Sequence, residues 1–166
     1  MQKAKQRSEI AKQDKWRIED IYATDEAWEA DYNECIRRAK EKCVYQGRLA
    51  ESAQILYQAL KESDEADLLV EHVYVYAFMK YYEDTANAVY QEMSGRAQAA
   101  VTKLSEKYAF LTPEILAIDQ KKMQEYLNSD TLALYRHALE DILAKKEHAL
   151  SCLLYTSPSP RDQRGS

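Results

Sequence analysis

The sequence predicts an all-α protein, an antiparallel helical bundle of about six helices. Up to residue 151 it contains only two glycines (Gly47 and Gly95) and one proline (Pro113), so signals for tight β-turns are scarce. Apolar residues instead recur at three- and four-residue spacing, which places them along one face of an α-helix. No period of about 34 or 40 residues is found, which argues against a helical solenoid.

The first helix is predicted to begin at Thr24, whose hydroxyl can cap the free backbone N–H groups. Asp25 and Glu26 then occupy the first turn, where acidic side chains are favoured. Gly47 suits the end of this helix. Its apolar stripe comprises Trp28, Tyr32, Cys35, Ile36, Ala39 and Cys43.

Two more helices are predicted before residue 80. The second carries Leu49, Ala53, Leu56, Tyr57 and Leu60. Ser63 or Asp64 can start the third, whose stripe is Leu68, Leu69, Val73, Tyr76 and Met79. The run from His72 to Phe78 has strand propensity, but its continuity with the flanking helical pattern favours a helix.

The fourth helix is predicted from a stripe of Ala86, Val89, Tyr90, Met93, Ala97, Val101, Leu104 and Tyr108. Thr112, Pro113 and Glu114 then predict a fifth helix start, with a cap, a proline in the first helical position and an acid. After Ser129 and Asp130 the last helix presents Leu132, Tyr135, Leu139, Ile142 and Leu143.

Composition excludes several classes of protein. A net charge of −5 gives no electrostatic reason to expect nucleic acid or an anionic membrane as a partner. No stretch approaches the roughly 20 apolar residues of a membrane span, and nothing near Met1 resembles a signal peptide. Cys35 and Cys43, on one helix, would lie about 12 Å apart, too far for a disulfide. We therefore expect a reducing, cytoplasmic location.

The sequence predicts no catalytic, cofactor-binding or metal-binding residue. The histidines are His72, His137 and His148. None lies in His-Glu-x-x-His, which would place two zinc ligands one helical turn apart. None follows a glutamate by three residues, as a di-iron bundle requires, because Leu69, Leu134 and Lys145 stand there.

Cysteine and tyrosine are interpreted as structural residues. Cys35 and Cys43 lie on an apolar stripe, which favours buried packing over nucleophilic chemistry. Thirteen tyrosines is a high count, and most of them fall on apolar stripes. They are interpreted as core and lobe-interface residues rather than as a binding site.

The residues after Ser151 differ in composition from everything before them. Residues 152–162 can be reverse-translated into a string that resembles, base for base, a common transposase-type sequencing adapter. We therefore predict that residues 152–166 are a non-native, translated tail. The alternative is a natural Ser/Pro-rich disordered tail. Residues 1–14 are expected to be a disordered N-terminus, which leaves residues 15–151 as the helical domain.

Four segments, taken in order, resemble oligoendopeptidase F. Residues 15–22 (Lys-Trp-Arg-Ile-Glu-Asp-Ile-Tyr), followed by Asp25-Glu-Ala-Trp28, resemble the opening of that family. The other matching segments are residues 81–87 with 90–93 and 96–97, residues 110–116 (Phe-Leu-Thr-Pro-Glu-Ile-Leu), and residues 135–143 with 146–151. Their order and spacing make the match specific.

This resemblance implies a thimet-oligopeptidase-like zinc metalloendopeptidase, a mostly helical cytoplasmic enzyme that cleaves short peptides inside a deep channel. The family's His-Glu-x-x-His motif lies far beyond residue 166, so no catalytic residue or zinc ligand is carried over to this chain. Residues 15–151 would form the N-terminal, non-catalytic lobe that walls the channel, truncated at its C-terminal end. The expected partner is the missing C-terminal catalytic lobe, and zinc is the cofactor of the parent enzyme.

The alternative is a free-standing, all-helical protein-interaction module with no enzymatic parent. Amphipathic helices and abundant tyrosine allow this interpretation. It leaves the four ordered matches and the adapter-like tail as coincidences.

Overall fold

The computed structural model describes residues 9–145 and confirms the all-α prediction, since these residues form helices and no strand. The α-helices are α1 (Asp25–Lys40), α2 (Ala53–Glu83), α3 (Ala88–Tyr108), α4 (Leu111–Ala117) and α5 (Gln120–Leu127), and residues 136–145 are also α-helical. Short 3-10 helices span Lys12–Asp14, Ile18–Asp20 and Asp130–Tyr135. The expectations for residues 1–8 and for the tail at 152–166 lie outside the described residues.

The chain divides into two compact units. The described residues of unit 1 are 9–44 and 61–109, and those of unit 2 are 45–60 and 110–145. The division falls within α2.

Unit 1 is a three-helix arrangement in which α2 runs antiparallel to both α1 and α3. Near the start of α1, the indole N–H of Trp28 donates to the carbonyl of Val73 at 2.8 Å. At the far end, Lys107 in the last turn of α3 donates to the carbonyl of Arg38 and to Glu62, at 2.9 and 3.4 Å. The core residues at most 1% exposed are Trp28, Cys35, Ala66, Val73, Ala77, Ala97, Ala100 and Leu104. Four of these are alanines, which let the helices approach closely.

Two cations join the helices of unit 1. Arg96 of α3 forms an ion pair with Glu29 of α1, and its guanidinium lies 4.2 Å from the ring centroid of Tyr32. Lys80 of α2 forms an ion pair with Asp25 in the first turn of α1. Each cation is largely shielded from water, and its carboxylate partner offsets the cost of burying the charge.

Unit 2 is held together by contacts between residues 45–60 and 110–145. Gly47 adopts a φ of +80°, and its N–H donates to the Glu114 carboxylate at 2.7 Å. The hydroxyl of Tyr126 donates to the carbonyl of Ala50 at 3.0 Å. The unit's fully buried large side chains are Leu49, Leu56, Ile115, Leu132 and Leu139.

The predicted start of the first helix is confirmed, but its predicted end is wrong. The Thr24 hydroxyl accepts a hydrogen bond from the N–H of Ala27 at 3.3 Å. The helix stops at Lys40, so Cys43 and Gly47 lie in the following connection. Glu41 leaves the helical conformation with a ψ of 137°, and the Arg38 carbonyl accepts from the N–H of Glu41 and from the ammonium of Lys107.

The predicted second and third helices are one helix. Helix α2 runs without interruption for 31 residues and contains no glycine or proline. Ser63 starts no helix but lies inside α2, 8% exposed. The serine that caps α2 is Ser52, whose hydroxyl accepts from the N–H of Ile55 at 3.2 Å. The helical interpretation of residues 72–78 is confirmed.

Two later boundaries also differ from the prediction. Helix α4 begins at Leu111, so Thr112 is not its cap and Pro113 is its third residue. A proline is tolerated there because the first-turn N–H groups have no partner within the helix. Helix α5 was not predicted; Asp119 caps it by accepting from the N–H groups of two residues that follow. The last predicted helix begins as a 3-10 helix, which Ser129 caps.

A candidate interaction surface on α2

The histidines do not form a metal site in the part of the chain that the structure describes. His72 lies exposed on α2. The side chain of His137 is 88% exposed, and its Nε2 lies 3.9 Å from Asp141. Between residues 9 and 145, no three His, Cys, Asp or Glu side chains are placed to hold a metal ion. His148 lies outside the described residues.

The two cysteines considered as nucleophiles are buried, as their positions predicted. Cys35 is fully buried, and burial raises the pKa of its thiol to about 11. Cys43 is 8% exposed. Because the thiolate is the reactive form, Cys35 is unreactive near neutral pH.

Buried tyrosines join helices through their hydroxyl groups. Tyr22, Tyr76, Tyr108 and Tyr126 donate to Asp31, Asp25, Glu62 and the carbonyl of Ala50, respectively, at 2.8 to 3.0 Å. Burial, and then the adjacent carboxylate, raises the pKa of Tyr22 and of Tyr108. These tyrosines are structural, which agrees with the interpretation of the sequence.

One face of α2 remains apolar and open to solvent. This outer α2 face consists of Leu68, Val75, Phe78, Met79 and Tyr82; the last four lie within two helical turns, and the exposed Glu71 and His72 separate Leu68 from them. Leu68 is 57% exposed and Tyr82 is 67% exposed, whereas the other three are half-buried. The opposite face of the same helix supplies the buried Val73 and Ala77. Helix α2 is therefore apolar on two sides.

Aromatic rings pack against one another along this face. The ring of Phe78 stacks on that of Tyr74, with centroids 4.2 Å apart, and contacts the rings of Tyr81 and Tyr82 at 6.3 and 6.0 Å. The rings of Tyr81 and Tyr82 are 5.3 Å apart. These contacts hold the rings in place, so the surface is ordered before any partner binds.

The outer α2 face continues into a groove of about 360 Å³. Met79, Tyr82 and Glu83 form one wall, and Ile10, Asp14, Lys15 and Trp16 form the other. Trp16 is 69% exposed. Large exposed aromatic residues beside a groove are typical of protein interaction sites.

The sequence contained a signal for this surface that was not recognised. Val75, Met79 and Tyr82 are spaced as a helical stripe, but they interleave with the stripe through Val73 and Tyr76. The stripe predicted for the third helix therefore combines residues of both faces, with Leu68 and Met79 from the outer face and Val73 and Tyr76 from the buried face. A helix that is apolar all round is normally covered on every side.

Comparison with known proteins identifies the same family as the four segments. The family model for the N-terminal part of M3 peptidases, described as Oligopeptidase F, matches residues 114–152. The oligopeptidase PepF of Bacillus subtilis is 38% identical over 146 residues, which are 87% of this chain and 22% of that protein. A plasmid-encoded oligoendopeptidase F of Lactococcus lactis is 37% identical over 153 residues, 89% of this chain and 25% of that protein. The chain resembles the N-terminal part of oligoendopeptidase F.

Solved structures give the same result at the level of the fold. The crystal structure of oligoendopeptidase F from Enterococcus faecium matches with a TM-score of 0.67 and 28% identity, over 72% of this chain and 23% of that one. A Chlamydophila abortus protein described only as a candidate peptidase matches with a TM-score of 0.76 and 21% identity, over 98% of this chain and 26% of that one. This chain therefore spans about a quarter of the length of its oligoendopeptidase F relatives.

The segments that carry the oligoendopeptidase F resemblance perform structural roles here. Asp25 pairs with Lys80, and Arg96 pairs with Glu29. The side chain of Asn87 caps α3 by accepting from the backbone N–H groups of Val89 and Tyr90. Residues in the first two of the four segments thus help to join α1, α2 and α3 or to start α3.

No helix in the described part of the chain could cross a membrane. Helix α2 is 31 residues long, enough to cross a bilayer. Its charged residues, however, leave neither it nor another described helix apolar enough to do so.

Proposed function

We propose that residues 15–151 form the N-terminal, non-catalytic lobe of a zinc metalloendopeptidase of the oligoendopeptidase F type, which hydrolyses short peptides in the cytoplasm. The lobe walls the channel that admits peptides to the catalytic lobe. The observation that carries this proposal is the match over 87% of this chain to only 22% of a Bacillus oligopeptidase, joined to an all-α fold shared with an oligoendopeptidase F.

The chemistry of hydrolysis belongs to the rest of the parent enzyme. Zinc, when bound, polarises the scissile carbonyl and lowers the pKa of water. The donor set for such an ion is three or four convergent side chains, and residues 9–145 do not supply one. No step of the reaction is therefore assigned to this lobe, whose proposed role is to exclude large substrates.

A chimaera tests this proposal. Residues 1–151 of this chain would replace the matching segment of Bacillus subtilis PepF, and cleavage of a quenched short peptide would be measured. We expect zinc-dependent cleavage, because the lobe supplies the missing wall of the channel. The matched control is PepF from which the segment is deleted without replacement, which should not cleave.

Two results would count against the proposal. The first is a chimaera that folds with a cooperative thermal transition but cleaves no peptide. The second is a chimaera that cleaves a folded protein as fast as a short peptide, since the lobe would then not restrict access.

A further inference from the structure

We propose that the outer α2 face is the surface on which the catalytic part of the parent enzyme packs. This inference rests on the proposed function and adds the location of the lobe–lobe contact. Neither the family match nor the solved relatives assigns that role to these residues.

The first argument is the length of the apolar stripe. Leu68 and Tyr82 are 14 positions apart on a continuous helix, which corresponds to roughly 21 Å along its axis. Glu71 and His72 interrupt this length after Leu68, so the continuous apolar part runs from Val75 to Tyr82. A patch of two turns with Leu68 beyond it matches the contact of another helix or lobe. Hydration of these exposed apolar side chains is unfavourable in free energy, and burial would remove this cost.

The second argument is charge. Glu71 and His72 are both exposed on this face between Leu68 and Val75, whereas from Val75 to Tyr82 the face carries no charged side chain. A surface that held peptide substrates would need polar groups to orient the peptide backbone and its charged termini. Val75, Phe78 and Met79 offer no such groups, and Tyr82 offers one hydroxyl. The face is therefore suited to dry packing against protein.

The third argument is the amount of protein available to cover the face. The relatives that match this chain are about four times as long, since it spans 22% to 25% of them. The three helices of unit 1 already cover the opposite face of α2, where Val73 and Ala77 are fully buried. The part of the parent enzyme that this chain lacks is therefore the proposed occupant of the outer α2 face.

The test compares one pair of substitutions in two settings. Leu68→Lys with Tyr82→Lys would be placed in the PepF chimaera and in the isolated 166-residue chain, and thermal unfolding would be followed in both. Leu134→Lys is the matched control, because Leu134 is also a large exposed apolar residue, 77% exposed, in unit 2.

We expect the double substitution to lower the melting temperature of the chimaera by more than about 3 °C and to leave that of the isolated chain within about 1 °C. The control should change neither. Equal melting temperatures for the substituted and unsubstituted chimaera would overturn the proposal. So would loss of a dimer of the isolated chain on substitution, because a second copy would then be the occupant.

The outcome is separable from that of the proposed function. Peptide cleavage by the unsubstituted chimaera tests whether the lobe belongs to such an enzyme. If that chimaera cleaves peptides and ignores the α2 substitutions, the function stands and the position of the interface is wrong. If it folds and does not cleave, the proposed function is wrong, whatever the substitutions do.

Discussion

Lys107 shows how one side chain connects distant parts of unit 1. Its side chain is only 7% exposed, and its ammonium donates to the Arg38 carbonyl while lying 5.1 Å from the ring centroid of Tyr108. A buried ammonium is tolerated because each of its donors has an acceptor or an aromatic face to meet.

The two glycines of the described chain should respond oppositely to alanine. Gly95 lies inside α3, and a Cβ there would meet no atom within 4 Å, so Gly95→Ala should raise the free energy of unfolding by about 1 kcal/mol. Gly47 has a φ of +80°, so Gly47→Ala should lower that free energy by about 1–2 kcal/mol despite the open space. Urea unfolding of both variants measures this, and a shift of the same sign in both would contradict it.

Glu34 predicts a small pH dependence of stability. Hydrogen bonds from Arg37 and then Arg38 lower the pKa of its carboxyl from 4.5 to about 2. Because the folded pKa is the lower one, this stabilisation is present above pH 4.5 and is lost as pH falls towards 2. Glu34→Gln should therefore flatten the acid dependence in that window, as measured by urea unfolding at several pH values. An acid dependence identical to that of the unsubstituted protein would be evidence against this assignment.

At the scale of the element, cap signals were correct only in part. Thr24 was predicted as a cap and is one, because a capping hydroxyl and the N–H that it accepts from lie within three residues, whereas the predicted cap Thr112 lies inside α4. No glycine or proline marks the end of α1 at Lys40, and its last turn is contacted by Lys107, which lies 69 residues beyond Arg38. The prediction that Ser63 starts a helix is wrong because cap propensity depends on neighbouring residues alone, whereas tertiary packing buries the continuous helix around Ser63.

The continuity of α2 yields a direct prediction. Ser63→Pro should lower the free energy of unfolding by about 3 kcal/mol or more, because proline in a helix interior removes a hydrogen bond and clashes with the preceding turn. If Ser63 began a separate helix, proline would be well accepted there. Thermal unfolding and circular dichroism would report the change. Ser63→Ala is the control for the side chain, and a tolerated proline would contradict the continuous helix.

The candidate surface, unlike the fold, was not predicted from the sequence. The all-α class follows from periodicity, which any helical core must show. The outer α2 face arises because residues such as Val75 and Tyr82 belong to a second stripe, and only a structure shows which stripe is already covered. The stripe predicted for the last helix is covered at Leu132 and Leu139, which are both fully buried.

At the scale of the whole molecule, we predict that the proposed lobe has no catalytic chemistry of its own. The isolated chain should therefore not cleave a quenched short peptide, with or without added zinc, in an assay where Bacillus subtilis PepF does. The reason is the lack of a convergent ligand set between residues 9 and 145. Zinc-dependent cleavage by the pure chain would show that this assignment is wrong.

The central claim is that residues 15–151 are one lobe of a longer zinc peptidase, and sequencing tests it most directly. The uninterrupted coding DNA would be recovered from its source and read past the codon for Ser151. The claim predicts that the frame continues for several hundred codons and contains His-Glu-x-x-His. A frame that encodes the Ser/Pro-rich residues 152–166 and then stops would contradict it and favour a free-standing helical interaction module.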